Sequence, residues 1–502
     1  MRRTPAFPPL LAIDRRSGRP LYRQLYDGYR EAIVDGRARP GQRLPSTRAL
    51  AAELGISRIT VLTAFEQLVA EGYFESRVGA GTVVARSLPE EPKAPPSPHA
   101  ARRSRSPRGP RFLPRGSAAG LREADPWLGG WGAFRVSQPA LEHFPVAVWS
   151  SLIARHSRNP LARLLNYGDP MGHRPFREAV ATYLRTARAV RCEAENVMVV
   201  SGSQQALAIT ARALLEPGHH VWLEEPGYPG AREVLAMAGA RLVPVPVDHE
   251  GLDVTAGMSV CARARAAYVT PSHQYPLGMT MSASRRLQLL DWARRAGAWV
   301  IEDDYDSEYR YESFPIAALQ GLDRDDRVIY IGTFSKVLFP SLRIGYLVIP
   351  PDLVPRFVAV REAMDIFPAS LPQLALTQFI NEGEFGRHLR RMRALYRDRR
   401  ATLVEALGRE LGSSLKVIGD AAGMYLAVTA RRRWPDHAMA LRAAVRGLWV
   451  MPLSSCYLGQ ATRRGLVLGY GGTTVAEIPS AVHRLRGVIA SRGVIWARED
   501  RA

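Results

Sequence analysis

The sequence predicts a multi-domain protein in which a small, mostly helical domain precedes a large α/β domain. Residues 1–86 contain short helical patterns and end in a predicted β-hairpin. Residues 87–125 are rich in Pro, Ser and Arg and have few bulky apolar side chains, so they predict a flexible, partly extended linker. Residues 126–502 alternate short β-rich runs with helical segments, which is typical of an α/β domain with a largely parallel sheet.

The composition favours a globular protein with a polyanionic partner. The 502 residues are 46% hydrophobic and carry a net charge of +21, nearly all from arginine. Such a charge is typical of nucleic-acid binding, although an arginine-rich proteome would also produce it. No apolar run approaches the ~18 residues of a membrane-spanning helix. The cysteines, Cys192, Cys261 and Cys456, are too far apart to predict a disulfide framework or a metal site, and a reducing cytoplasm is the expected location.

The N-terminal pattern predicts two helices joined by a tight turn. An apolar residue recurs at every fourth position of a preceding helix: Leu21, Leu25, Tyr29 and Ile33. Ser46 is a suitable N-cap for the next helix, and Gly55 makes the turn. Ser57 can cap a following helix that runs to Glu71 and ends at Gly72. This is the helix-turn-helix arrangement, and YFESRVGAGTVVA after it predicts two strands around a glycine-rich tip.

The residues that face outward at the start of the second helix are suited to DNA. A recognition helix reads base edges with its N-terminal residues, here Ser57, Arg58 and Thr60. Arg58 can donate two hydrogen bonds to a guanine. Arg48 on the preceding helix is expected to contact the DNA backbone. A small helical adaptor domain with a solvated basic face is the alternative interpretation of this pattern.

The segment PGQRLPSTRALAAELGISRITVLTAFEQLVAEGYFESRVGAGTVV resembles the winged helix-turn-helix of GntR-superfamily regulators nearly residue for residue. The resemblance covers about residues 20–85. It implies binding to double-stranded DNA through eight positions: Arg43, Ser46, Arg48, Ser57, Arg58, Thr60, Arg77 and Gly79.

The key segment of the large domain is RVIYIGTFSKVLFPSLRIGYLVIP, in which two β-rich runs flank a loop that contains Lys336. A lysine held between strands at the edge of a sheet can form an imine with an aldehyde cofactor. The hydroxyl of Ser335 and the guanidinium of Arg343 suit a phosphate group. Lysine is scarce in this chain, so a lysine among apolar residues favours a chemical role over a solvated surface position.

Two other strands end in residues that suit the same cofactor. VMVVSGSQQALAIT predicts a strand, a turn and a helix start, where Gly202, Ser203 and Gln204 can bind phosphate. AWVIEDDYDSEYRY predicts a buried strand that ends in acidic residues. Asp303 is the preferred partner for a protonated pyridine nitrogen, and Tyr305 for the ring hydroxyl. By spacing alone Glu302 and Asp304 are alternatives to Asp303, and the acidic residues could simply cap a helix.

Polar loops follow two further strands. Tyr228 in VWLEEPGYPGA can cover one face of a cofactor ring, or can belong to an ordinary proline-glycine turn. In AAYVTPSHQYPLGMTMS, His273, Gln274 and Tyr275 are expected at the same sheet edge, with His273 a cofactor-binding candidate. The carboxyl ends of the strands of an open α/β sheet converge on one crevice, so these loops can meet there.

Together these segments resemble the fold-type I pyridoxal 5′-phosphate (PLP) enzymes, the aspartate aminotransferase class, over most of residues 130–480. With the upstream domain they resemble the MocR-type regulators of the GntR superfamily. The resemblance implies a large α/β domain with a small C-terminal α+β domain, Lys336 as the imine lysine, Asp303 on the pyridine nitrogen and Tyr305 on the ring hydroxyl. It also implies Ser203, Ser335 and Arg343 at the phosphate, Tyr228 beside the ring, and a homodimer that binds repeated half-sites on DNA.

Two departures from the aminotransferase pattern matter. Gln274–Gly278 stands where aminotransferases have Asn-Pro-x-Gly, so the residue that replaces the asparagine is left open. Where aminotransferases commonly have an arginine just before a segment like LGYGG, this chain has Leu466 or Val467. Either Arg463 or Arg464 upstream serves in its place, or the anchor for a substrate carboxylate is missing. We therefore expect a regulator that senses an amine, an amino acid or PLP itself, with transaldimination or partial transamination at most. A working aminotransferase with a fused DNA-binding domain is the alternative.

Overall fold

The computed structural model describes most of both predicted domains. The described residues are 13–15, 17–77, 81–86, 129–158, 164–311, 317–412, 415–419, 421–430 and 434–490. Contacts divide the chain into two compact units, residues 1–112 and 113–502. The predicted linker at 87–125 lies outside the described residues. Within the described part, no helix is both long enough and apolar enough to cross a membrane.

The described part of the N-terminal unit contains three helices followed by a hairpin. Its elements are α1 Leu21–Val34, α2 Thr47–Leu54, α3 Arg58–Ala70, β1 Phe74–Arg77 and β2 Gly81–Val84. The two strands pair antiparallel, with Phe74 opposite Val84 and Arg77 opposite Gly81. The predicted helix-turn-helix and wing are therefore confirmed, and residues 78–80 at the tip of the hairpin lie outside the described residues.

The helix caps of this unit agree with those predicted from the sequence, with one exception. The hydroxyl of Ser46 accepts from the backbone N–H of Ala49 at 3.2 Å, and Gly55 adopts a left-handed conformation (φ 60°) that ends α2. A cap of this kind stabilises a helix by about 1 kcal/mol. Ser57 occupies the N-cap position of α3, but its side chain makes no capping hydrogen bond. The predicted cap at Ser57 was thus right in position and wrong in its bond, which leaves the hydroxyl exposed to a ligand.

A small apolar core supports these helices. Tyr29 of α1, Phe65 of α3 and Phe74 of β1 pack edge to face, with ring centroids 5.1–5.6 Å apart. The predicted stripe residues Leu25, Tyr29 and Ile33 are at most 1% exposed. Because α1, α3 and the hairpin share this core, the exposed face of α3 is held on a rigid support.

The second unit is built on a sheet of eight strands in the order β3-β10-β9-β8-β7-β4-β5-β6. The strands are β3 Val197–Val200, β4 His220–Glu225, β5 Arg241–Asp248, β6 Gly251–Leu252, β7 Ala266–Val269, β8 Trp299–Asp304, β9 Val328–Thr333 and β10 Gly345–Val348. The five strands from β9 to β5 are parallel, whereas β10 is antiparallel to both neighbours. The predicted, largely parallel sheet is confirmed.

Helices of the second unit connect and cover these strands. They are α4 Val146–Arg158, α5 Arg174–Arg188, α6 Ser203–Leu214, α7 Pro229–Met237, α8 Val254–Cys261, α9 Ala283–Ala296, α10 Val354–Asp365, α11 Ser370–Asn381, α12 Glu384–Leu411, α13 Asp436–Val445 and α14 Ile478–Ala490. Strands β3, β7, β8 and β10 are buried along their whole length, as expected where both faces of a sheet are covered.

A second, antiparallel sheet has the strand order β11-β12-β14-β13. Its strands are β11 Leu415–Ile418, β12 Tyr425–Ala430, β13 Met451–Pro452 and β14 Gly465–Gly469. Residues 133–138, here called the strap, are fastened to this part of the fold. Gly469 donates its N–H to the carbonyl of Phe134, and Phe134 donates its N–H to the Thr473 hydroxyl at 3.0 Å.

Candidate cofactor site and nucleic-acid surface

Lys336 lies in the loop between β9 and β10, in a cavity of about 120 Å³. Its ammonium donates a hydrogen bond to the carbonyl of Ser137 in the strap at 3.3 Å. The cavity is lined by Ser137, Ser203, Gln204, Tyr228, Tyr268, Thr270, Tyr275, Asp303, Tyr305, Thr333, Ser335, Lys336 and Arg343. Eight predicted cofactor-site residues therefore meet in one cavity: Ser203, Gln204, Tyr228, Asp303, Tyr305, Ser335, Lys336 and Arg343.

The topology of the sheet explains why these residues meet. Strand β10 is antiparallel to both β3 and β9, so β3 runs in the same direction as the five parallel strands. The loops after β3, β4, β7, β8 and β9 consequently leave the sheet at one edge, the carboxyl edge, where ligands bind in open α/β sheets.

Asp303 has one carboxylate oxygen available for a ligand. Its Oδ2 accepts a hydrogen bond from the hydroxyl of Tyr268 at 2.8 Å, whereas its Oδ1 is buried without a hydrogen-bond partner. Burial raises the pKa of Asp303 to about 7. A buried acceptor with no donor is unfavourable, and a protonated pyridine nitrogen would supply both the hydrogen bond and the positive charge.

The two neighbouring acidic residues are occupied elsewhere. Glu302 accepts the backbone N–H groups of Leu319 and Gln320, each at 2.8 Å. Asp304 forms a buried salt bridge with Arg188 at 2.8 Å. Successive residues of a strand point to opposite faces, so neither carboxylate reaches the cavity that Asp303 lines. Of the three acidic residues proposed from the sequence, the geometry favours Asp303.

The environment of Lys336 lowers the pKa of its amine to about 8. Burial is the largest cause, and the positive charges of Arg343 and Arg135 act in the same direction. The carboxylates of Asp306 and Asp303 oppose this shift. A lysine in ordinary solution is almost fully protonated at neutral pH, whereas this one has a sizeable fraction of the neutral amine that attacks a carbonyl.

Groups suited to a phosphate lie at the other end of the cavity. Helix α6 begins at Ser203 after Gly202, whose φ of 100° is left-handed. A Cβ at Gly202 would lie 3.1 Å from the Arg343 guanidinium, so glycine leaves room for it. The hydroxyl of Ser335 is buried without a hydrogen-bond partner. Arg343 also donates to the carbonyl of Ser201. A helix N-terminus, a guanidinium and an unpartnered hydroxyl together match a bound phosphate.

Tyr305 belongs to a buried network behind the cavity. Its hydroxyl donates to the carbonyl of His273 at 2.8 Å and lies 2.6 Å from the hydroxyl of Tyr425. His273 is 2% exposed and bonds to Asp306 at 2.9 Å, and it is not among the residues that line the cavity. His273 is therefore placed to orient Tyr305 rather than to contact a cofactor directly.

Aromatic residues cover another wall. The Tyr228 hydroxyl accepts from the Gln204 amide at 3.1 Å, and its ring packs edge to face on Tyr275 at 5.5 Å. Gln274, by contrast, is 1% exposed and donates to Glu224 at 3.2 Å and to the carbonyl of Pro226 at 2.8 Å. Of the two residues, Tyr275 lines the cavity and Gln274 does not.

Sequence reasoning missed Tyr268, Thr270 and Ser137, which also line the cavity. Tyr268 carries a hydroxyl inside a fully buried strand, and such a group needs a partner, which was the available signal. Thr270 donates its hydroxyl to Glu224 at 2.6 Å. No local pattern marks Ser137, because the strap meets Lys336 only through tertiary packing.

A larger cleft of about 660 Å³ lies elsewhere on this unit. Its lining includes Asn196 just before β3 and Val328 at the start of β9, so it opens at the amino edge of the sheet. Among its polar side chains, Arg185 donates a hydrogen bond to Glu193 at 2.8 Å. Its described lining residues include no lysine and no buried acid with an unpartnered oxygen, in contrast to the cavity of Lys336 and Asp303.

The N-terminal unit presents an exposed polar surface at the start of α3. Ser57 and Arg58 are exposed and Thr60 is half-buried, as expected for groups that reach DNA. Ile59 is 72% exposed and was not predicted as a contact. An apolar side chain at this position suits the methyl group of a thymine.

Further predicted DNA contacts surround this helix. Arg43, Ser46 and Arg48 are exposed at or just before α2. The guanidinium of Arg43 lies near Gly81, at the start of the second wing strand. Arg77 ends β1, and Gly79 lies outside the described residues. Exposed arginines thus lie on and beside the helix-turn-helix, and others of this unit, such as Arg19 and Arg37, lie outside it.

The structure places no arginine of the segment before LGYGG at the cavity around Lys336. Val467 is fully buried in β14, where it pairs with Ala427 and Met451. Arg463 and Arg464 are exposed in the turn before the strand. Neither arginine is among the residues that line the cavity around Lys336.

Comparison with known families agrees with both sites. Residues 21–84 match the family described as bacterial regulatory proteins, gntR family, and residues 138–485 match aminotransferase class I and II. The combination defines a helix-turn-helix transcriptional regulator that carries an aminotransferase-type, PLP-binding domain. The chain belongs to the MocR-type regulators of this class.

Individual relatives support this assignment. The probable rhizopine catabolism regulatory protein MocR of Rhizobium meliloti is 41% identical over 477 residues, which cover 95% of each chain. The HTH-type transcriptional regulator TauR of Rhodobacter capsulatus is 32% identical, covering 91% of this chain and 93% of that protein.

A solved structure resembles the second unit and supports the cofactor. LysN, an α-aminoadipate aminotransferase from Thermus thermophilus complexed with N-(5′-phosphopyridoxyl)-L-leucine, has a TM-score of 0.67 and 29% identity. The match covers 72% of this chain and 93% of LysN. The aminotransferase family match and the fit of Asp303, Ser335 and Arg343 agree on PLP as the cofactor.

Proposed function

We propose that this regulator responds to a primary amine or amino acid through the amine of Lys336. The observation that carries the proposal is the pairing of two features in one cavity. The Lys336 amine is largely buried with a pKa of about 8, and Asp303 offers an unpartnered, buried carboxylate oxygen. Together they provide a nucleophile and an electrostatic anchor for one cofactor.

Each residue has a distinct proposed role toward PLP. When bound, PLP supplies an aldehyde that forms an imine with a primary amine. Asp303 holds the ring nitrogen in its protonated form, and Tyr305 orients the ring hydroxyl. Tyr228 covers one face of the ring. The phosphate would be bound by groups from two loops: Gly202, Ser203, Gln204, Ser335 and Arg343.

The strap could transmit a change at Lys336 along the chain toward the DNA-binding domain. The free Lys336 amine donates to the Ser137 carbonyl at 3.3 Å here, and this hydrogen bond would change when the cofactor engages the amine. The strap follows the predicted linker of residues 87–125 by only a few residues. We propose that an effector amine displaces Lys336 from the cofactor and so changes the hydrogen bond between Lys336 and the strap. This change would favour one of two conformations of the large domain.

Several features favour a homodimer. The second unit exposes large apolar side chains, notably Leu165 and Tyr167 at 75% each and Val146 at 60%. A contiguous patch of exposed apolar groups commonly marks an interface, and these side chains are candidates for such a patch. A dimer would present two winged domains, one for each half-site of a repeated operator. We also propose that the DNA-binding domain ends at residue 86 and that the large domain begins at residue 126. The protein would act in the cytoplasm, where it meets DNA.

The proposal is tested with the full chain loaded with PLP. Absorbance spectra of the wild type and Lys336→Ala are recorded during titration with a panel of amines and amino acids. DNA binding is followed in parallel, using the region upstream of the coding sequence and an unrelated fragment of equal length. We expect a protein-linked band in the wild type alone, a shift with an effector, and a matching change in DNA affinity.

Other outcomes would contradict the proposal. Steady accumulation of a keto acid would indicate a working aminotransferase. A change in DNA affinity on addition of PLP, with no response to any amine, would indicate a sensor of the cofactor itself. A wild-type protein that forms no lysine-linked band would remove Lys336 from the mechanism.

A further inference from the structure

The cationic groups near the Lys336 amine are few and are engaged elsewhere. Among the described residues that line the cavity, the cations are Lys336 and Arg343. Arg343 lies 3.1 Å from the Cβ position of Gly202, at the start of α6, where a phosphate would sit. Arg135 in the strap acts electrostatically on Lys336, but its guanidinium lies over the ring of Trp131, 5.4 Å from the centroid.

One face of the antiparallel sheet backs the opposite wall of the cavity. Tyr425 of β12 lies 2.6 Å, oxygen to oxygen, from the hydroxyl of Tyr305. Met451 of β13 accepts a hydrogen bond on its sulfur from the hydroxyl of Tyr275 at 3.3 Å. Since Tyr305 and Tyr275 line the cavity, the face that carries Tyr425 and Met451 is the face that looks toward it.

The strand register extends this face and shows that it is uncharged. Val467 of β14 is directly opposite both Ala427 and Met451, and directly opposite residues of antiparallel strands share a face. Tyr425 is opposite Gly469 on the same face. Val467 and Ala427 are fully buried and Met451 is 5% exposed. No cation stands among these described positions.

The nearest charges on this side of Lys336 are negative. Asp306 and Asp303 both favour the protonated form of Lys336. Asp303 would be neutralised by a ring nitrogen, and Asp306 is paired with His273. A carboxylate brought next to the lysine would meet tyrosine hydroxyls and these acids, without a guanidinium. An ionised group buried without a charged partner is strongly unfavourable.

We propose that the effector is a primary amine that carries no carboxylate on the carbon bearing the amino group. The inference rests on the proposed function, because it concerns the amine that displaces Lys336. It narrows that function by excluding ordinary α-amino acids as effectors, and it follows from the uncharged sheet face of Ala427, Val467 and Met451, which backs the wall formed by Tyr275 and Tyr305.

The test compares amines that differ only in the carboxylate. The full-length, PLP-loaded wild type is titrated with ethylamine and alanine, ethanolamine and serine, phenethylamine and phenylalanine, and 1,4-diaminobutane and ornithine. The half-saturation of the shift in the cofactor absorbance band is measured for each. The same titrations with free PLP in the same buffer correct for the intrinsic reactivity of each amine.

We expect that, in every pair that shifts the band, the carboxylate-free amine reaches half-saturation at a concentration lower by about tenfold or more after this correction. Equal or tighter binding of the α-amino acids would overturn the inference while leaving Lys336 as the sensing residue. A band that responds to none of the eight compounds, nor to a wider panel, would overturn the proposed function itself and the inference with it.

Arg135 is the cation that could bind the carboxylate of an α-amino acid instead, so its substitution completes the test. In Arg135→Gln the preference for the carboxylate-free amine should persist, as in the surface control Arg241→Gln. If α-amino acids bind to the wild type and this binding is lost in Arg135→Gln alone, Arg135 holds the carboxylate and the inference is wrong.

Discussion

The hydroxyl of Tyr268 donates to Oδ2 of Asp303 at 2.8 Å, while the other carboxylate oxygen, Oδ1, is buried without a hydrogen-bond partner. The two residues come from the neighbouring strands β7 and β8, where Tyr268 is directly opposite Ile301, two positions before Asp303. The bond is a cross-strand diagonal, a geometry that a tyrosine is long enough to span.

This arrangement predicts opposite effects of Asp303→Asn on cofactor affinity and on stability. The variant should bind PLP at least about tenfold more weakly, because the amide cannot pair with a protonated ring nitrogen. The folded-state pKa of Asp303 is raised to about 7 from 3.8, so the cofactor-free folded protein binds an extra proton between these values. The wild type therefore loses stability as pH rises through this window.

The stability half of this prediction is checked by thermal unfolding of cofactor-free proteins. Asp303→Asn should melt higher than the wild type at pH 8, with a smaller difference at pH 4. Tyr268→Phe is the matched control, since it keeps the carboxylate but removes its hydrogen bond. If Asp303→Asn bound PLP with the same affinity as the wild type, Asp303 would not be part of the cofactor site.

The lowered pKa of Lys336 predicts a pH dependence for cofactor attachment. The rate at which PLP produces the lysine-linked band should rise with pH and level off above about pH 8, because only the neutral amine attacks. Asp306→Asn removes the strongest group that holds the proton on Lys336, so the midpoint should move to lower pH. A rate that kept rising to pH 10 would indicate an unperturbed lysine.

Ser46 and Ser57 form a natural pair for separating stability from DNA contact. Ser46→Ala should destabilise the N-terminal domain by about 1 kcal/mol, since it removes the hydrogen bond from Ala49. Ser57 makes no capping bond, so Ser57→Ala should leave the melting temperature nearly unchanged and weaken DNA binding. Denaturant unfolding and fluorescence anisotropy of labelled DNA measure the two effects. Similar destabilisation in both variants would contradict the assignment.

Arg58 and Arg48 should differ in what they contribute to DNA affinity. Arg58→Ala is expected to cost about 1–3 kcal/mol on the operator and to relax specificity, as loss of a base contact does. Arg48→Ala should weaken binding to all sequences and reduce the slope of log affinity against log salt by about 1. Binding to specific and unrelated DNA at several salt concentrations distinguishes them. Equal losses on both DNAs for Arg58 would make it a phosphate contact.

Local signals in the sequence were sufficient for much of this protein. The helix-turn-helix follows from apolar periodicity, a serine N-cap and Gly55, because caps and left-handed turns depend on a few adjacent residues. Lys336 was identified from its position between two β-rich runs in a chain with few lysines. The meeting of the loops at one edge follows from the parallel order of the strands, which is a property of the fold class.

Only the tertiary structure decided which side chains complete the site. Alternation along β8 separates Asp303 from Glu302 and Asp304, but the face that looks into the cavity depends on packing against other strands. Tyr268 bonds to Asp303 and Ser137 to Lys336 across large sequence separations, and Tyr275 lines the same cavity. The uncharged sheet face at Val467 likewise depends on strand register. Such contacts arise from how elements pack, which no local pattern of residues encodes.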